Sequence, residues 1–308
     1  MSEIRKALDL SSTAAAYLLP EVVDGAVRDF ASKTPTMYNV VNKRPWASQT
    51  YFIKKKLTLP TASWSIDGGP LPAATTGTYG QVSKSVAYLY TRGEVTGPMI
   101  EAAGSVFDAL GQDIEDHTQA IVEQLSSDIV SADGTANDIE GVLHQIETDS
   151  SQYTAAGGAG QVIDASAATL TLNMIDKAID ASAEASGTGV AGPGATVAVT
   201  TRPVRRMINS LLQSQQRFMT ETELAAGFRV MSYDGIPFMV DNHWPGNTDN
   251  QILFFDASRA SLLVHRDWTY EELAKTKDSV DYFIKGYFGF QLNGAASLLK
   301  NFTITAGI

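Results

Sequence analysis

The sequence predicts an α+β fold with a β-rich front segment, one long helix, an α/β unit and a β-rich closing segment. Three patterns support this prediction. Apolar and polar residues alternate in two runs between residues 46 and 96, which is typical of half-buried strands. From Phe107 to Ala132 the apolar residues recur at helical spacing. Helical and strand patterns then alternate from residue 136, before a last long strand pattern at 279–292.

The composition is that of a folded globular protein. The chain has 308 residues, of which 44% are hydrophobic and 19% charged, and this length is enough for about two domain-sized units. It contains no cysteine, which excludes disulfide bonds and thiolate metal sites. Since no signal-peptide pattern and no run of about 18 apolar residues is visible, we expect synthesis in the cytoplasm and no membrane segment.

We expect residues 1–45 to form an arm with one short helix. Apolar residues from Leu18 to Phe30 have helical spacing, and Thr34-Pro35 ends the pattern. Residues 46–96 are predicted to form a two-stranded excursion with a wide tip, because Pro60 to Gly80 is rich in turn residues. An isolated ribbon cannot bury a core, so it needs support from its own body or from a neighbouring copy.

The helix from Phe107 to Ala132 is predicted to be a structural spine. It would span roughly 39 Å at 1.5 Å per residue, with one apolar stripe and an exposed acidic face. The acids expected on that face are Asp113, Glu115, Asp116 and Glu123. Paired carboxylates can perform acid–base chemistry, but no pocket is indicated around these, and a solvated face is the favoured interpretation.

Residues 136–257 are predicted to be a separate α/β unit, and 258–308 to return to the sheet that packs against the spine. Helices are expected near 172–185 and 203–212, with strands at 195–199, 228–231 and 236–240. The closing strands are expected at 261–265, 279–292 and 302–304.

Charge is distributed unevenly along the chain. The net charge is −11, which argues against a dedicated nucleic-acid binder. Residues 1–92 carry eleven Lys or Arg and six Asp or Glu, whereas residues 93–176 carry fifteen acids and no Lys or Arg. The basic front and the acidic block could complement each other between copies. Two plainer interpretations stay open: a solvated acidic face that aids solubility, and edge protection of a strand by Lys54, Lys55 and Lys56.

No catalytic or metal-binding pattern is visible. There is no Gly-x-Ser-x-Gly elbow, no phosphate-binding loop and no His-x-x-x-His pair. His117 falls near the apolar stripe of the spine, where a packed histidine is expected. His243 lies beside Asn242 and Trp244 in a polar loop, and is expected to be an interface residue or simply exposed. We therefore predict no enzyme activity, no cofactor and no metal.

Several short stretches are similar to the major capsid proteins of tailed phages, which share the HK-ninety-seven-like fold. They are Leu18-Leu19-Pro20-Glu21-Val22-Val23, Thr96-Gly97-Pro98, Ala132-Asp133-Gly134, the segment Tyr233 to Val240, Asn242-His243-Trp244-Pro245, Phe254-Phe255-Asp256 and the segment Leu262 to Asp267. The order of the parts, from arm to closing strands, resembles that family over nearly the whole chain.

The resemblance implies a coat protein whose hexamers and pentamers form an icosahedral shell around double-stranded DNA, without sequence-specific contacts. It implies an N-terminal arm (1–45), an extended loop (46–96), a peripheral domain with the spine helix (97–135 and 258–308) and an inserted axial domain (136–257). The loop, with Lys54, Lys55, Lys56, Trp64 and Lys84, would lie on the spine acids of a neighbouring copy. Asn242, His243 and Trp244 would belong to an axial loop.

The expected partners are other copies, a portal, and scaffolding or decoration proteins, within a virion capsid. Two other functions stay open at this point. An encapsulin-type compartment shell has the same fold and encloses an enzyme in place of DNA. An α/β enzyme centred on 136–257 is disfavoured because no nucleophile and base are paired.

Overall fold

A computed structural model describes residues 36–56, 60–104, 108–147, 161–184, 194–214, 220–223, 229–241, 243–244, 250–275, 277–292 and 296–304. The predicted arm helix at 18–30 and Asn242 lie outside these ranges.

The described elements confirm the mixed helix and strand prediction. The first half contains α1 (Thr36–Val40), β1 (Asn42–Pro45), β2 (Thr50–Lys56), β3 (Tyr79–Ser85), β4 (Ala87–Thr96), α2 (Gly97–Ala103), α3 (Ala109–Ser131) and α4 (Val142–Glu147). The second half contains β5 (Val162–Asp164), α5 (Leu172–Glu184), β6 (Val197–Thr200), α6 (Arg202–Ser214), β7 (Thr220–Glu223), β8 (Arg229–Tyr233), β9 (Ile236–Val240), β10 (Ile252–Phe255), β11 (Ala260–Glu272), β12 (Ser279–Leu292) and β13 (Ala296–Lys300).

The described strands form three sheets. A four-stranded sheet has the order β1-β11-β12-β4, and a seven-stranded sheet has the order β5-β13-β10-β6-β9-β8-β7. The third is a two-stranded ribbon in which β2 pairs antiparallel with β3. The four-stranded sheet carries the spine helix, and the seven-stranded sheet carries α5 and α6.

The spine helix α3 forms where the sequence predicts it, within two residues at its start. Asp108 caps it by accepting a hydrogen bond from the Gly111 N–H at 3.0 Å. Its 23 residues span roughly 35 Å. Ile121 packs against β12, while Leu125 and Ile129 enter a core cluster that also includes residues of β10 and β13. The spine therefore contributes to the core between the two large sheets.

Two predicted segment boundaries are wrong. Residues 87–96 were assigned to the extended loop, but β4 pairs with β12 from Ala87 to Thr96 and belongs to the four-stranded sheet. Residues 296–300 were grouped with the spine, but β13 pairs with β10 and β5 in the other sheet. Both errors have the same cause. A local pattern identifies a strand, whereas its partner lies far away in the sequence and is selected by tertiary packing.

The element predictions had mixed outcomes. The strands at 236–240 and 279–292 match β9 and β12, and the predicted helix at 203–212 is the core of α6. The predicted strand at 302–304 is wrong, since only an isolated bridge involves Thr303. Seven short elements were missed: α1, β1, α4, β5, β7, β10 and β13. Each is three to six residues long, too short to show a clear period.

Candidate subunit interface

The ribbon, defined here as residues 50–85, is anchored to the body at its root. Tyr51 is buried, and its hydroxyl donates a hydrogen bond to the Phe290 carbonyl at 2.7 Å. The ring lies over Gly289, where an added Cβ would stand 2.8 Å from the Tyr51 ring. Burial, together with the nearby Glu140 charge, raises the pKa of Tyr51 well above its usual range. The root of the ribbon therefore packs at a defined position on β12.

An ion pair joins the second ribbon strand to the body. Lys84 of β3 pairs with Glu140, whose side chain is only 9% exposed. Glu140 also contacts His144 Nδ1 at 2.9 Å, one helical turn further along. Within its own chain Lys84 thus has an acidic partner that the sequence analysis did not predict, and its predicted contact with a neighbouring copy stays a prediction. The sequence could not show this ion pair because 56 positions separate the two residues.

The ribbon tip, residues 60–78, exposes large apolar side chains. Trp64 is fully exposed, Ile66 is 81% exposed and Leu71 is 92% exposed. Gly68 has φ = 72° in a turn in which the Gly69 N–H donates to the Ile66 carbonyl at 2.9 Å. The tip has no core of its own to cover these groups. Several large exposed apolar side chains on one short segment are typical of a contact surface.

The three lysines of the shaft, Lys54, Lys55 and Lys56, lie in β2 opposite residues 79–81 of β3. Their backbone is described, and their side chains lie outside the described part of the structure. Their predicted contact with a neighbouring copy stays a prediction.

The acidic face of the spine is narrower than predicted. Glu115 and Asp116 are exposed, and Glu123 is half-buried. Asp113, in contrast, points at the sheet: its Oδ2 accepts a hydrogen bond from the Tyr282 hydroxyl at 2.7 Å, and its side chain is 12% exposed. Its assignment to an exposed face is wrong, because its helical position faces a buried phenol that needs an acceptor.

The same contact affects Tyr282. Burial, and then the hydrogen bond to Asp113, raise the pKa of Tyr282 far above its usual range. His117 packs edge-on against the Tyr282 ring and shares a 2.7 Å hydrogen bond with Thr91 Oγ1. The prediction of a packed histidine on the spine is confirmed.

An apolar groove, called here the spine groove, opens between the first half of α3 and the outer part of β11. Its volume is about 330 Å³. It is lined by Ile114, Thr118, Ile121, Trp268, Thr269, Tyr270 and Ile284. Sequence reasoning missed it. The one available signal was Trp268 and Tyr270, two aromatic residues at alternating positions of a strand.

The predicted axial loop is partly corrected. His243 is 4% exposed and Trp244 is 7% exposed, so neither is exposed in the subunit. Asp241 orders this turn, since its carboxylate accepts hydrogen bonds from the backbone N–H groups of Met37 and His243. Trp244 joins the core cluster that contains the second half of α3. This segment looks polar in the sequence but is buried in the fold, where Met37 of α1 and Trp244 belong to one core cluster.

The face of the four-stranded sheet opposite the spine carries an aromatic cluster that the sequence analysis also missed. Tyr88 and Tyr287 meet edge to face at 4.8 Å, and the Tyr90 hydroxyl donates to the Tyr287 hydroxyl at 3.3 Å. The Arg266 guanidinium stands 5.8 Å from the Tyr287 ring centre. Tyr88 and Tyr90 are about half exposed, which makes this face a second candidate contact surface.

The described residues contain no group of three or more His, Cys, Asp or Glu placed to hold a metal ion. Within the same residues, no helix is long and apolar enough to cross a membrane.

Comparison with protein families decides the identity. Residues 108–301, more than half of the chain, match the model of the SU10 major capsid protein. The chain belongs to the SU10 major capsid protein family. It is therefore a structural coat protein of the phage type, as the resemblance implied. A search of curated protein sequences finds no match.

Solved structures show the same HK-ninety-seven-like fold in other shell proteins. The Mycobacterium phage Bobi protein aligns with a TM-score of 0.65 at 17% identity, covering 96% of this capsid protein and 100% of the other chain. The cyanophage A-1(L) capsid aligns with a TM-score of 0.67 at 15% identity, covering 94% and 99%. The holo-SrpI encapsulin complex from Synechococcus elongatus PCC 7942 aligns with a TM-score of 0.70 at 11% identity, covering 98% and 99%. At such identities the likeness concerns the fold alone.

Proposed function

We propose that this major capsid protein assembles as hexamers and pentamers into an icosahedral shell that encloses double-stranded DNA. The observation that carries the proposal is the ribbon. The ribbon projects from the body, its root is anchored by the buried Tyr51, and Trp64, Ile66 and Leu71 are exposed at its tip. Such a tip gains from contact with another surface, since apolar area removed from water contributes roughly 25 cal/mol per Å² before association costs.

The proposed partner surface is a neighbouring copy. A ribbon on one copy that contacts the body of the next is a heterologous contact, and such contacts form rings when the rotation closes. Repetition of one contact in rings of five and six gives a closed shell. Each subunit then needs several modest contacts, not one strong interface.

Charge complementarity supports this arrangement. The ribbon shaft carries Lys54, Lys55 and Lys56, and the exposed acids of the spine are Glu115 and Asp116. Between copies, these groups would attract each other and fix the register of the contact. Solvent-exposed charges are screened over about 8 Å at physiological ionic strength, so high salt should slow assembly.

The remaining parts take the positions that the family resemblance implies. The unit at 136–257 would face the local axis of each capsomer, and the spine with the four-stranded sheet would form its periphery. A portal and scaffolding or decoration proteins are expected partners. DNA would be enclosed without sequence-specific contacts, which agrees with a net charge of −11. The proposal assigns no catalytic activity to the chain and places it in the virion capsid.

The test is a charge reversal in the shaft. The triple variant Lys54→Glu, Lys55→Glu and Lys56→Glu should keep the thermal unfolding of the wild-type subunit and lose shell assembly, seen by electron microscopy and light scattering. The matched control is the triple Lys→Arg variant, which keeps the charge and should assemble. Normal shells from the Glu variant would refute the proposed ribbon contact.

An encapsulin-type compartment is the second candidate, because the encapsulin complex aligns over 98% of this chain. The contents of native particles distinguish the two functions. Particles purified from producing cells should contain nuclease-protected DNA of phage-genome length. Particles that hold a stoichiometric guest protein and no DNA would favour the compartment.

A further inference from the structure

The spine groove and the first described helix, α1, both contact the spine helix α3. Helix α1 starts at Thr36 and packs against the second half of α3, with Met37 in one core cluster with Leu125 and Ile129. The groove flanks the first half of the same helix, around Thr118. Residues 1–35 precede α1, so a segment of this chain that runs back along α3 toward its start is within reach of Thr118.

We infer that the spine groove is the docking site of this chain's own residues 18–30. The sequence of this segment predicts an amphipathic helix: Leu19, Val22, Val23, Ala26 and Phe30 fall on one stripe. Arg28 falls on the opposite side. An apolar stripe and an apolar groove of the same chain complement each other.

The tether length favours the chain's own segment over a neighbour's. From Thr118 to Leu125 the spine rises by roughly 10 Å. The five residues 31–35 can span up to roughly 17 Å when extended. A helix that ends at Phe30 can therefore reach the groove without displacing α1. Covalent connection through a short linker gives a high effective concentration, which a separate copy lacks at the start of assembly.

The walls of the groove fit a helix stripe. Ile114 and Ile121 supply one wall, and Trp268 and Ile284 supply the other, in contact with the Ile121 cluster. Tyr270, 41% exposed, stands at the rim, and its hydroxyl donates to Glu272 at 3.2 Å. The walls offer apolar surface and few hydrogen-bonding groups, which suits Leu, Val and Phe side chains and does not suit a charged peptide.

This docking would give the arm a role in assembly. An open apolar groove on every subunit would attract other exposed apolar surfaces, among them the Trp64 tip, in wrong orientations. With the groove covered by the arm, the tip is left to the contact described under the proposed function. The inference concerns the folded subunit and does not require that function to hold.

Because the chain has no cysteine, a designed pair reports the contact directly. The variant Val23→Cys with Thr118→Cys should form an intrachain disulfide under mild oxidation, read as a linked peptide by mass spectrometry. The matched control, Arg28→Cys with Thr118→Cys, should form at least several-fold less. Equal yields, or a Val23 bond that runs between chains, would overturn the inference.

A second variant removes any dependence on disulfide geometry. Val23→Asp should increase the binding of an apolar fluorescent dye to the folded subunit several-fold, whereas Arg28→Asp should leave it unchanged. An unchanged signal for Val23→Asp would also overturn the inference. Electron microscopy of the same samples measures shell formation independently. An intrachain disulfide in samples that form no shells would contradict the proposed function and leave the inference on the groove standing.

Discussion

Replacing Lys84 by Met tests how firmly the ribbon root is held to the body. The substitution keeps the aliphatic stem and removes the charge that pairs with Glu140. Glu140 would remain 91% buried, with His144 as its remaining ionisable hydrogen-bond partner within the described residues. Removing the cation beside a buried carboxylate destabilises the fold by more than the ion pair stabilised it, because the desolvation of the remaining charge is no longer compensated.

The magnitude follows from the exposure of the two side chains. Exposed pairs contribute about 0.2–1 kcal/mol, and breaking a fully buried pair costs about 3–5 kcal/mol. Here the carboxylate is 9% exposed and the ammonium 21% exposed, and His144 compensates in part. We expect Lys84→Met to destabilise the ribbon root by about 2 kcal/mol. The double variant with Glu140→Gln should recover about 1–1.5 kcal/mol relative to the sum of the two single variants.

Hydrogen exchange is the suitable assay, because the ribbon can open without unfolding of the body. A loss of about 2 kcal/mol corresponds to roughly 30-fold faster exchange of the amides of β2 and β3. The amides of α3 at Leu125 and Ile129 should exchange at the wild-type rate. A coupling energy within about 0.3 kcal/mol of zero, or equal acceleration in ribbon and spine, would refute the reasoning.

Three further substitutions follow from individual contacts. Gly141→Ala should destabilise the fold by about 3 kcal/mol or more in thermal unfolding, because its Cβ would stand 2.6 Å from the rigid Asp128 carbonyl. Tyr282→Phe should lower the free energy of unfolding by about 1.5–3 kcal/mol, the usual value of a hydrogen bond to a charged group such as Asp113. In a spectrophotometric titration, this variant should lack one phenol that in the wild type ionises only when the protein unfolds. The Ser279 hydroxyl and the Arg92 guanidinium lower the pKa of the Asp281 carboxyl. The ionised carboxylate therefore stabilises the fold above about pH 4, and this stabilisation is lost as the pH falls further. In Asp281→Asn, the free energy of unfolding should depend less on pH in that acidic range.

Each of these has a matched control. Gly194→Ala would place its Cβ 3.7 Å from Ala183 Cβ, an ordinary contact, and should change stability by less than about 1 kcal/mol. Tyr79→Phe alters an exposed tyrosine of the ribbon, and Asp67→Asn an exposed acid of its tip. The argument on Gly141 would be contradicted if Gly141→Ala were as stable as Gly194→Ala. The argument on Tyr282 would be contradicted if Tyr282→Phe titrated like the wild type. For Asp281, the contradicting result is an Asp281→Asn variant whose stability falls with acid as in the wild type.

The features with a local cause could be predicted from the sequence. A helix of 23 residues repeats its period often enough for α3 to be recognised, and β12 shows a long apolar run bounded by turns. The ribbon was predicted in part: its first strand and its Gly- and Pro-rich tip follow from the sequence. The predicted second strand, Val86 to Tyr90, lies almost entirely in β4, and β3 takes its place in the ribbon. The uneven charge distribution is a property of the sequence alone and suggested contact between copies.

Tertiary structure alone decided which distant groups meet. Strand partners selected by packing placed 87–96 and 296–300 in other sheets than predicted, and His243 and Trp244 are buried. Lys84 found Glu140 in its own chain, and Asp113 turned from solvent to Tyr282. A sequence pattern records which side of an element is apolar, since that depends on neighbours three or four positions away. It does not record which side chain across the fold supplies the opposite charge or the hydrogen bond, because the chain path alone brings those atoms together.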